Sequence, residues 1–463
     1  MVESSLTQDP KLAGMISLCM IVRDEEKRLR ACLESVRDVV DQMVIVDTGS
    51  EDGTVELAKS LGAEVHHFTW CDDFSAARNE SIKYARGDWI LWMDADEVLA
   101  DESKAELRQI CSQKGKPAIR LVTIRSSRAG GAQIHDSDAH RLFTNGCGIQ
   151  FSGVIHEQVA PSASKLKAKE KTSGIMLYHS GYDLDAAAQA RKLARNQPLL
   201  ERMVRDEPQN AFAHFWLAQN YAQQDEHKKA LKHLHRSLEL KQFNQTFRAS
   251  ALNITAQVYI ESGQPEQVLR LTKESLKLVP MQFGALYLQF RLAMQRKNWA
   301  ETARLLEKLV QNTRYLLTHP KVISTDTLAP LDKILVQLGE VYLKTGEQTK
   351  ALQSFQDALK EGAAPALLRR VIALARDLNN LPVLLSALKD YLKNEPEDIE
   401  ALDLMAMAYI KGQDFKAALE TYQHISHLRP DLLKVKERLA ALYAKLNQPD
   451  KAAAILTELQ NPK

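Results

Sequence analysis

The sequence lacks the features that mark several large classes of protein. Its 463 residues hold five cysteines, Cys19, Cys32, Cys71, Cys111 and Cys147. Their number is odd, their spacings are long and no C-x-x-C occurs, which argues against a disulfide framework and a structural zinc site. Long apolar runs are missing too: those present, such as Met15–Val22, are far too short to span a bilayer. Met1–Gly14 is polar, with no basic n-region and no apolar core, so a soluble, cytoplasmic protein without a transmembrane segment is expected. Neither sign of charge is in excess. The net charge of +2 gives no reason to expect bulk electrostatic binding to nucleic acid. G-x-G-x-x-G and G-x-x-x-x-G-K-[ST] are both absent, which disfavours dinucleotide and P-loop sites.

What is present is the balance of a globular chain, 45% apolar and 26% charged, long enough for about two to four domains. Strand and helix patterns alternate from Met15. Strands are expected at Met15–Val22, Met43–Val46, Ala63–Phe68 and Trp89–Met93, and helices at Glu25–Val40, Asp52–Leu61 and Ser75–Ala85. Such βαβ alternation calls for a mostly parallel sheet with helices on both faces, and ligands then sit at the carboxyl ends of the strands. Those ends are polar. Arg23, Asp24 and Glu25 follow the first strand, and Asp47-Thr48-Gly49-Ser50 followed by Asp52-Gly53-Thr54 the second. Gly49 suits a turn and Ser50 or Asp52 a helix cap, whereas Asp47 has no evident structural partner. Three N-x-[ST] sequons, at Asn79, Asn244 and Asn253, read as chance, and Arg86-Gly87-Asp88 as a strand-entry turn.

The stretch Trp89–Glu97 stands out. A buried strand breaks abruptly into Asp94, Asp96 and Glu97. Carboxylates at i and i+2 of a strand share a face, and two like charges that close call for a cation or donors between them. A hard cation, Mg²⁺ or Mn²⁺, fits: such ions take one or two protein carboxylates and complete their shell with water and substrate phosphate. The plainer reading is that Asp94 and Asp96 cap the following element or face solvent.

Four motifs in order, I-S-L-C-M-I-V-R-D-E-E, V-I-V-D-T-G-S-E-D-G-T, W-C-D-D-F-S-A-A-R-N and G-D-W-I-L-W-M-D-A-D-E, cover about Met15 to Leu99 and closely resemble glycosyltransferase family 2. The resemblance implies an α/β GT-A domain, a Rossmann-like fold that binds nucleotide sugars. It implies that Asp47 bonds the uracil of a UDP-sugar, that the backbone at Ile21 and Val22 flanks the base, and that Glu25 lies by the nucleoside. Arg78 and Asn79 would line the sugar or diphosphate, and Asp94-Ala95-Asp96 would be the metal-binding D-x-D. The family often has Asn where this chain has Asp24. H-R-L-F-T-N (140–145), G-V-I-H-E-Q-V (153–159) and Y-H-S-G-Y (178–182) continue the resemblance toward the bacterial branch that includes peptide glycosyltransferases. They imply His179 as a second metal ligand beside Asp96, and Arg141 as a diphosphate contact or the partner of a nearby carboxylate. The general base is implied to be Glu157, with His156, Asp136 and Asp138 as the other candidates. Lys165–Lys171 reads as a solvated loop or hairpin.

The second half repeats. Ala406, Tyr409 and Ala418 recur at a spacing of 34 as Ala440, Tyr443 and Ala452, while Gly339, Tyr342 and Ala351, and Ala218, Tyr221 and Ala230, keep the same internal spacings. Ala256, Tyr259 and Val268 are a looser copy. The pattern resembles tetratricopeptide repeats, in which small residues let paired helices approach and Tyr fills the gap between successive pairs. About seven repeats are expected, with 283–312 and 364–396 degenerate and an insertion at 313–330. The expected division is a tail at 1–14, the GT-A domain at 15–185, a helical connector at 186–208 and the all-α repeat domain at 209–463. A repeat solenoid offers a concave surface to a peptide or protein acceptor; its other uses are homodimerisation and buttressing of the catalytic domain. The reading is an inverting, metal-dependent transferase acting from a UDP-sugar with Mn²⁺ or Mg²⁺. Its alternatives are a non-catalytic scaffold with an inactive GT-A domain and a transferase acting on a cell-envelope saccharide or lipid. A nucleotidyltransferase is disfavoured because R-D-E-E is too acidic for a phosphate loop.

Overall fold

Alternating strands and helices appear where the periodicity puts them. In the computed structural model the described residues are 14–113, 117–128, 133–179, 186–318 and 329–460. The first elements are β1 (Ile16–Val22), α1 (Glu26–Val36), β2 (Gln42–Asp47), α2 (Thr54–Ser60), β3 (Glu64–His67), α3 (Phe74–Tyr84) and β4 (Trp89–Trp92). They are followed by β5 (Glu97–Leu99), α4 (Lys104–Cys111), β6 (Ala118–Arg128), β7 (Gln133–Thr144), α5 (Ala160–Lys165) and β8 (Lys169–His179).

The eight strands form one sheet in the order β3-β2-β1-β4-β7-β6-β8-β5. β1 lies parallel to both β2 and β4, and β2 to β3. Beyond β4 the sheet is mixed, with β4–β7, β6–β7 and β5–β8 antiparallel and β6–β8 parallel. The parallel expectation therefore holds for the first four strands. β6 and β7 are too close in sequence for a crossover helix, so they pair antiparallel. Lys165–Lys171 is exposed, but it is the end of α5 running into β8 rather than a hairpin.

β1 is buried on both faces, which is why it reads as a continuous apolar run. Leu18, Met20 and Val22 join α1 (Leu29, Leu33, Val36) and α4 (Leu107, Cys111) in one core cluster. Cys19 faces the other way, with Val44, Ile90, Phe143 and Phe151. Each fully buried leucine contributes on the order of 1.5–3 kcal/mol. The turn into β4 requires Gly87: a Cβ there would stand 2.7 Å from Ser17 N and 2.8 Å from Met15 O.

The loops after β1 and β2 are fastened to each other. Asp24 N–H donates to Ser50 Oγ (3.0 Å), Glu25 N–H to Thr54 Oγ1 (2.8 Å) and Glu26 N–H to Asp52 Oδ2 (3.2 Å). In return Glu51 N–H donates to Asp24 Oδ1 (2.8 Å) and Gly53 N–H to Glu26 Oε2 (3.3 Å). Asp52 thus satisfies the first amide of α1, an element other than its own.

The helical part comprises α6 (Ala186–Asp206), α7 (Ala211–Ala222), α8 (His227–Glu239), α9 (Gln245–Glu261), α10 (Val268–Leu278), α11 (Phe283–Gln295) and α12 (Trp299–Thr318). It continues with α13 (Leu331–Lys344), α14 (Gln348–Lys360), α15 (Leu367–Asp377), α16 (Leu381–Leu392), α17 (Ile399–Lys411), α18 (Phe415–Leu428), α19 (Leu433–Lys445) and α20 (Pro449–Gln460). Of the expected insertion at 313–330, residues 319–328 lie outside the described residues. The described residues fall into two compact units. One runs to Leu292 and includes 315–318 and Ala329; the other is 293–314 with the described residues from Pro330 on. The repeat logic is visible inside each. In the first unit Tyr221 donates to Glu201 of α6 (2.8 Å), and the Tyr259 hydroxyl stands 2.9 Å from His235 of α8. In the second Tyr342 donates to Glu307 of α12, and Gln423 of α18 donates to Tyr443 (2.8 Å). Each of these four tyrosines reaches the helix before its own. Among the described residues no helix is long and apolar enough to cross a membrane.

Candidate functional site

β4 stops at Trp92, and the acidic run that follows is a tight turn rather than a strand. Glu97 N–H donates to Asp94 O at 3.0 Å and closes it. The two carboxylates of D-x-D consequently part. Asp94 accepts from Arg78 Nη2 at 2.7 Å and from Arg141 Nη2 at 3.2 Å. The Asp96 carboxylate faces His179 Nδ1 at 3.4 Å. Strand pairing explains that meeting, because β5 lies against β8 with Glu97 opposite His179. Ala95 is 5% exposed and joins the core, which pins the turn.

Arg78 of α3 and Arg141 of β7 are both buried. Arg78 Nε donates to Glu157, and Arg141 Nη2 donates to Glu97 Oε1 at 2.6 Å. Between them lies the Trp92 ring, its centroid 3.5 Å from Arg141 Cζ and 4.2 Å from Arg78 Cζ. Cation–π attraction of this kind is strongest where water is excluded. Trp92 Nε1–H donates to His140 O at 2.7 Å, which fixes the ring. Three guanidinium nitrogens, Nη1 of Arg78 and Nε and Nη1 of Arg141, are buried without a hydrogen-bond partner among the described residues. Buried donors are rarely left so, and a guanidinium is by type a donor to anions.

The charges tune one another. Burial works to raise the Asp94 carboxyl, but Arg78 and Arg141 overcome it and hold the group well below the usual range. Burial also opposes the charge on Arg78, and Asp94 and Glu157 more than restore it. Glu97 is lifted by burial, with Arg141 pulling against the rise. His179 is lowered by burial, yet its bond to Asp96 and the surrounding carboxylates carry it above its ordinary value. Glu25 is raised, first by burial and then, against the pull of Arg28, by Asp96 and Asp94. It therefore looks onto the same acidic turn.

Glu157 and His156 sit on a loop whose neck is the reciprocal pair Ser152–Gln158, 3.0 Å each way. Gly153 (φ +102°) and His156 (φ +52°) give it its bend. α3 grips the loop: Ser75 Oγ donates to Gly153 O (2.6 Å) and Phe74 N–H to Val154 O (2.9 Å). Asn79 bonds both backbone groups of Phe151, at 2.8 and 3.0 Å, so both ends of its amide are employed in setting this segment. The Glu157 side chain is only 9% exposed. His156 keeps open surface and stacks on Trp216 of α7, ring centroids 4.2 Å apart. The alternatives lie elsewhere. Asp138 is exposed and accepts from Thr123 Oγ1 at 2.8 Å; the side chain of Asp136 and residues 180–182 lie outside the described residues.

At the other end of the site, Val22 pairs with Asp47 and Ile21 with Val46. Val22 O accepts from Thr48 N–H at 3.0 Å. Asp47 has the partners that its sequence context hides: Gly49 N–H at 3.2 Å, Ser50 N–H at 3.1 Å and His67 Nδ1 at 3.2 Å. Asp24 has φ +56°, a conformation that Asn and Asp tolerate best among non-glycine residues.

Among the described residues no group of three or more His, Cys, Asp or Glu is arranged to cage a metal. Asp96 and His179 supply one carboxylate and one imidazole side by side. That donor set suits a cation that keeps water and substrate phosphate in its remaining positions, with imidazole favouring Mn²⁺ over Mg²⁺. Sequence reasoning gave no part to Trp92, Glu97 or Trp216. Glu97 follows the D-x-D directly, and three carboxylates in four residues were the available signal. The tryptophans act through faces that spacing does not reveal.

Comparison with known proteins gives family matches for both parts of the chain. Residues 17–141 match the model of Glycosyl transferase family 2, and residues 332–361 and 400–431 match Tetratricopeptide repeat models. A TPR repeat-containing protein of Synechococcus elongatus is 40% identical over 205 residues, 43% of this chain and 50% of that protein. The SPbeta prophage-derived glycosyltransferase SunS of Bacillus subtilis is 29% identical over 232 residues, 50% of this chain and 54% of that protein. An uncharacterized glycosyltransferase of Rickettsia typhi is 35% identical over 95 residues, 20% of this chain and 32% of that protein. The chain spans about half the length of the first two relatives.

Proposed function

We propose that this chain, which carries a glycosyl transferase family 2 domain followed by tetratricopeptide repeats, is an inverting, metal-dependent glycosyltransferase. Its donor is a UDP-sugar and its acceptor a peptide or protein held by the repeats. One observation carries the reading: two buried guanidiniums converge on Asp94, just past the end of β4, and keep N–H donors without a partner among the described residues. That is what a diphosphate requires at the strand ends of such a sheet.

In this reading Arg78 and Arg141 donate to the diphosphate, and Trp92 holds both guanidinium planes and excludes water. Asp47 and the Ile21–Val22 backbone receive the base, and Glu25 stands by the nucleoside. Asp96 and His179 would hold Mn²⁺ or Mg²⁺, which when bound offsets the charge that grows on the departing diphosphate. Glu157 takes the proton of the acceptor hydroxyl or thiol as that atom bonds to the anomeric carbon. The bond from that carbon to the diphosphate oxygen breaks on the opposite face, its electron pair leaves with the UDP, and the configuration inverts. Helical repeats support a peptide or protein acceptor because they present extended surfaces rather than closed pockets.

The test incubates the chain with a panel of UDP-sugars, Mn²⁺ and host extract, and reads UDP release together with the mass of the products. A sugar-mass increment on a peptide or protein is expected. No UDP release from any donor, with no UDP-dependent shift in melting temperature, would leave a binding scaffold instead.

A further inference from the structure

We infer that Trp216, on the first helix of the repeat region, is a positioning residue for the transfer reaction: its indole fixes the loop that brings Glu157 to the donor site. The inference rests on the reading of Glu157 given above.

The loop from Ser152 to Gln158 is held at its base, by the bridge at its neck and by the bonds of α3 to Gly153 and Val154. Beyond that base His156 adopts a left-handed backbone that costs a non-glycine residue about 1 kcal/mol or more. Its two sides are tied to different parts of the chain. Glu157 is tied inward, to Arg78. Ile155 and His156 are tied outward, to the helices. Ile155 is 4% exposed and packs in one cluster with Leu199 and Leu200 of α6 and Phe215 of α7. The imidazole of His156 lies on the Trp216 indole at 4.2 Å with 18° between the planes.

Trp216 is itself held. Phe215 meets it edge-on at 5.0 Å and Phe247 of α9 at 6.0 Å. The same cluster takes in Phe74, the first residue of α3, and Arg195 of α6 stands over the Phe74 ring at 5.5 Å. Both partners of the Arg78–Glu157 pair are therefore registered on α6 and α7: Arg78 through the start of α3, Glu157 through the tip of the loop. Part of the reaction centre is built on the repeat region, so the first repeat acts in catalysis as well as in acceptor binding. Displacement of a reacting group by about 1 Å costs on the order of 10²-fold in rate. A loop released at its tip would lose turnover, while the donor would keep the contacts made by Asp47, Arg141 and Asp96.

The experiment compares full-length wild type, Trp216→Ala and Trp216→Phe in three ways: hydrogen exchange across residues 152–158, UDP affinity with Mn²⁺, and kcat for UDP release from UDP-glucose and UDP-N-acetylglucosamine. Trp216→Ala should speed exchange of the loop about tenfold and lower kcat by roughly 10- to 100-fold, with the UDP Kd changed by less than about threefold. Trp216→Phe, which restores a flat face, should recover most of both. If Trp216→Ala does not fold, Trp216→Leu, apolar but not flat, replaces it. Unchanged loop exchange overturns the inference, as does a parallel loss of affinity, turnover and melting temperature that Phe does not rescue. A wild type that releases no UDP from any donor removes the preceding reading instead, and loop exchange then decides alone whether Trp216 fixes the loop.

Discussion

Arg78 Nη2 lies 2.7 Å from Asp94 Oδ1, and this contact joins the helix before β4 to the turn after it. Asp94 is also shared with Arg141, so one carboxylate answers two buried cations. Asp94→Asn should leave both guanidiniums short of counter-charge. Breaking a buried pair costs about 3–5 kcal/mol; with 35% of the Asp94 side chain exposed, about 2 kcal/mol is expected after allowance for screening. Urea unfolding should show that loss, together with loss of UDP release.

Asp96 plays a different part, since its carboxylate faces His179. Asp96→Ala should leave the melting temperature within a few degrees of wild type and abolish turnover. The increase in UDP affinity on adding Mn²⁺ should vanish as well. A variant that keeps metal-dependent UDP binding would remove Asp96 from the metal site.

Glu157→Gln keeps the shape of the side chain and its hold on Arg78 through an oxygen, and removes the proton acceptor. UDP affinity should persist while kcat falls by about 10²-fold or more. Equal losses in affinity and turnover would mark Glu157 as a binding residue, with the base to be sought elsewhere.

His156 should stay neutral through the mildly acidic range. The residue as a whole is exposed, but its ring lies against Trp216; that covering, and then the charge of Lys192, bring the imidazole down to about 4. A histidine held low binds its proton more readily unfolded than folded. Its contribution to stability is therefore complete above about pH 6.5 and declines as pH falls from there toward 4. NMR titration of the ring should give a midpoint below 5.5, and His156→Gln should flatten the fall in stability over that window; a midpoint near 6.5 would show an ordinary solvated histidine.

The second unit offers a packing test that leaves the donor site untouched. A Cβ on Gly339 would run into the ring of Phe355, which is fully buried. Gly339→Ala should destabilise that unit by about 1–3 kcal/mol despite its better helix propensity. Circular dichroism should show an earlier helical transition, with UDP affinity unchanged.

The sequence made the α/β rhythm, the acidic turn and the repeat legible because each is local: strand alternation, three carboxylates within four residues, a period of 34. It could not show that Asp94 and Asp96 part company, since that follows from a turn closed by Glu97 rather than a continued strand. Asp47 read as a carboxylate in want of a ligand because its partners are backbone amides of the next loop and a histidine on β3. The sequons had structural work to do: Asn79 sets Phe151, Asn244 caps α9, and Asn253 is buried against Gln282. The mixed half of the sheet was missed because an antiparallel pair of strands leaves no helix to announce the connection.

The two loops that bond each other after β1 and β2 make the carboxyl ends of these strands a single rigid lip. Three amides on one side and two on the other are taken by side chains across the gap, so a residue inserted in either loop would slide both out of register at once.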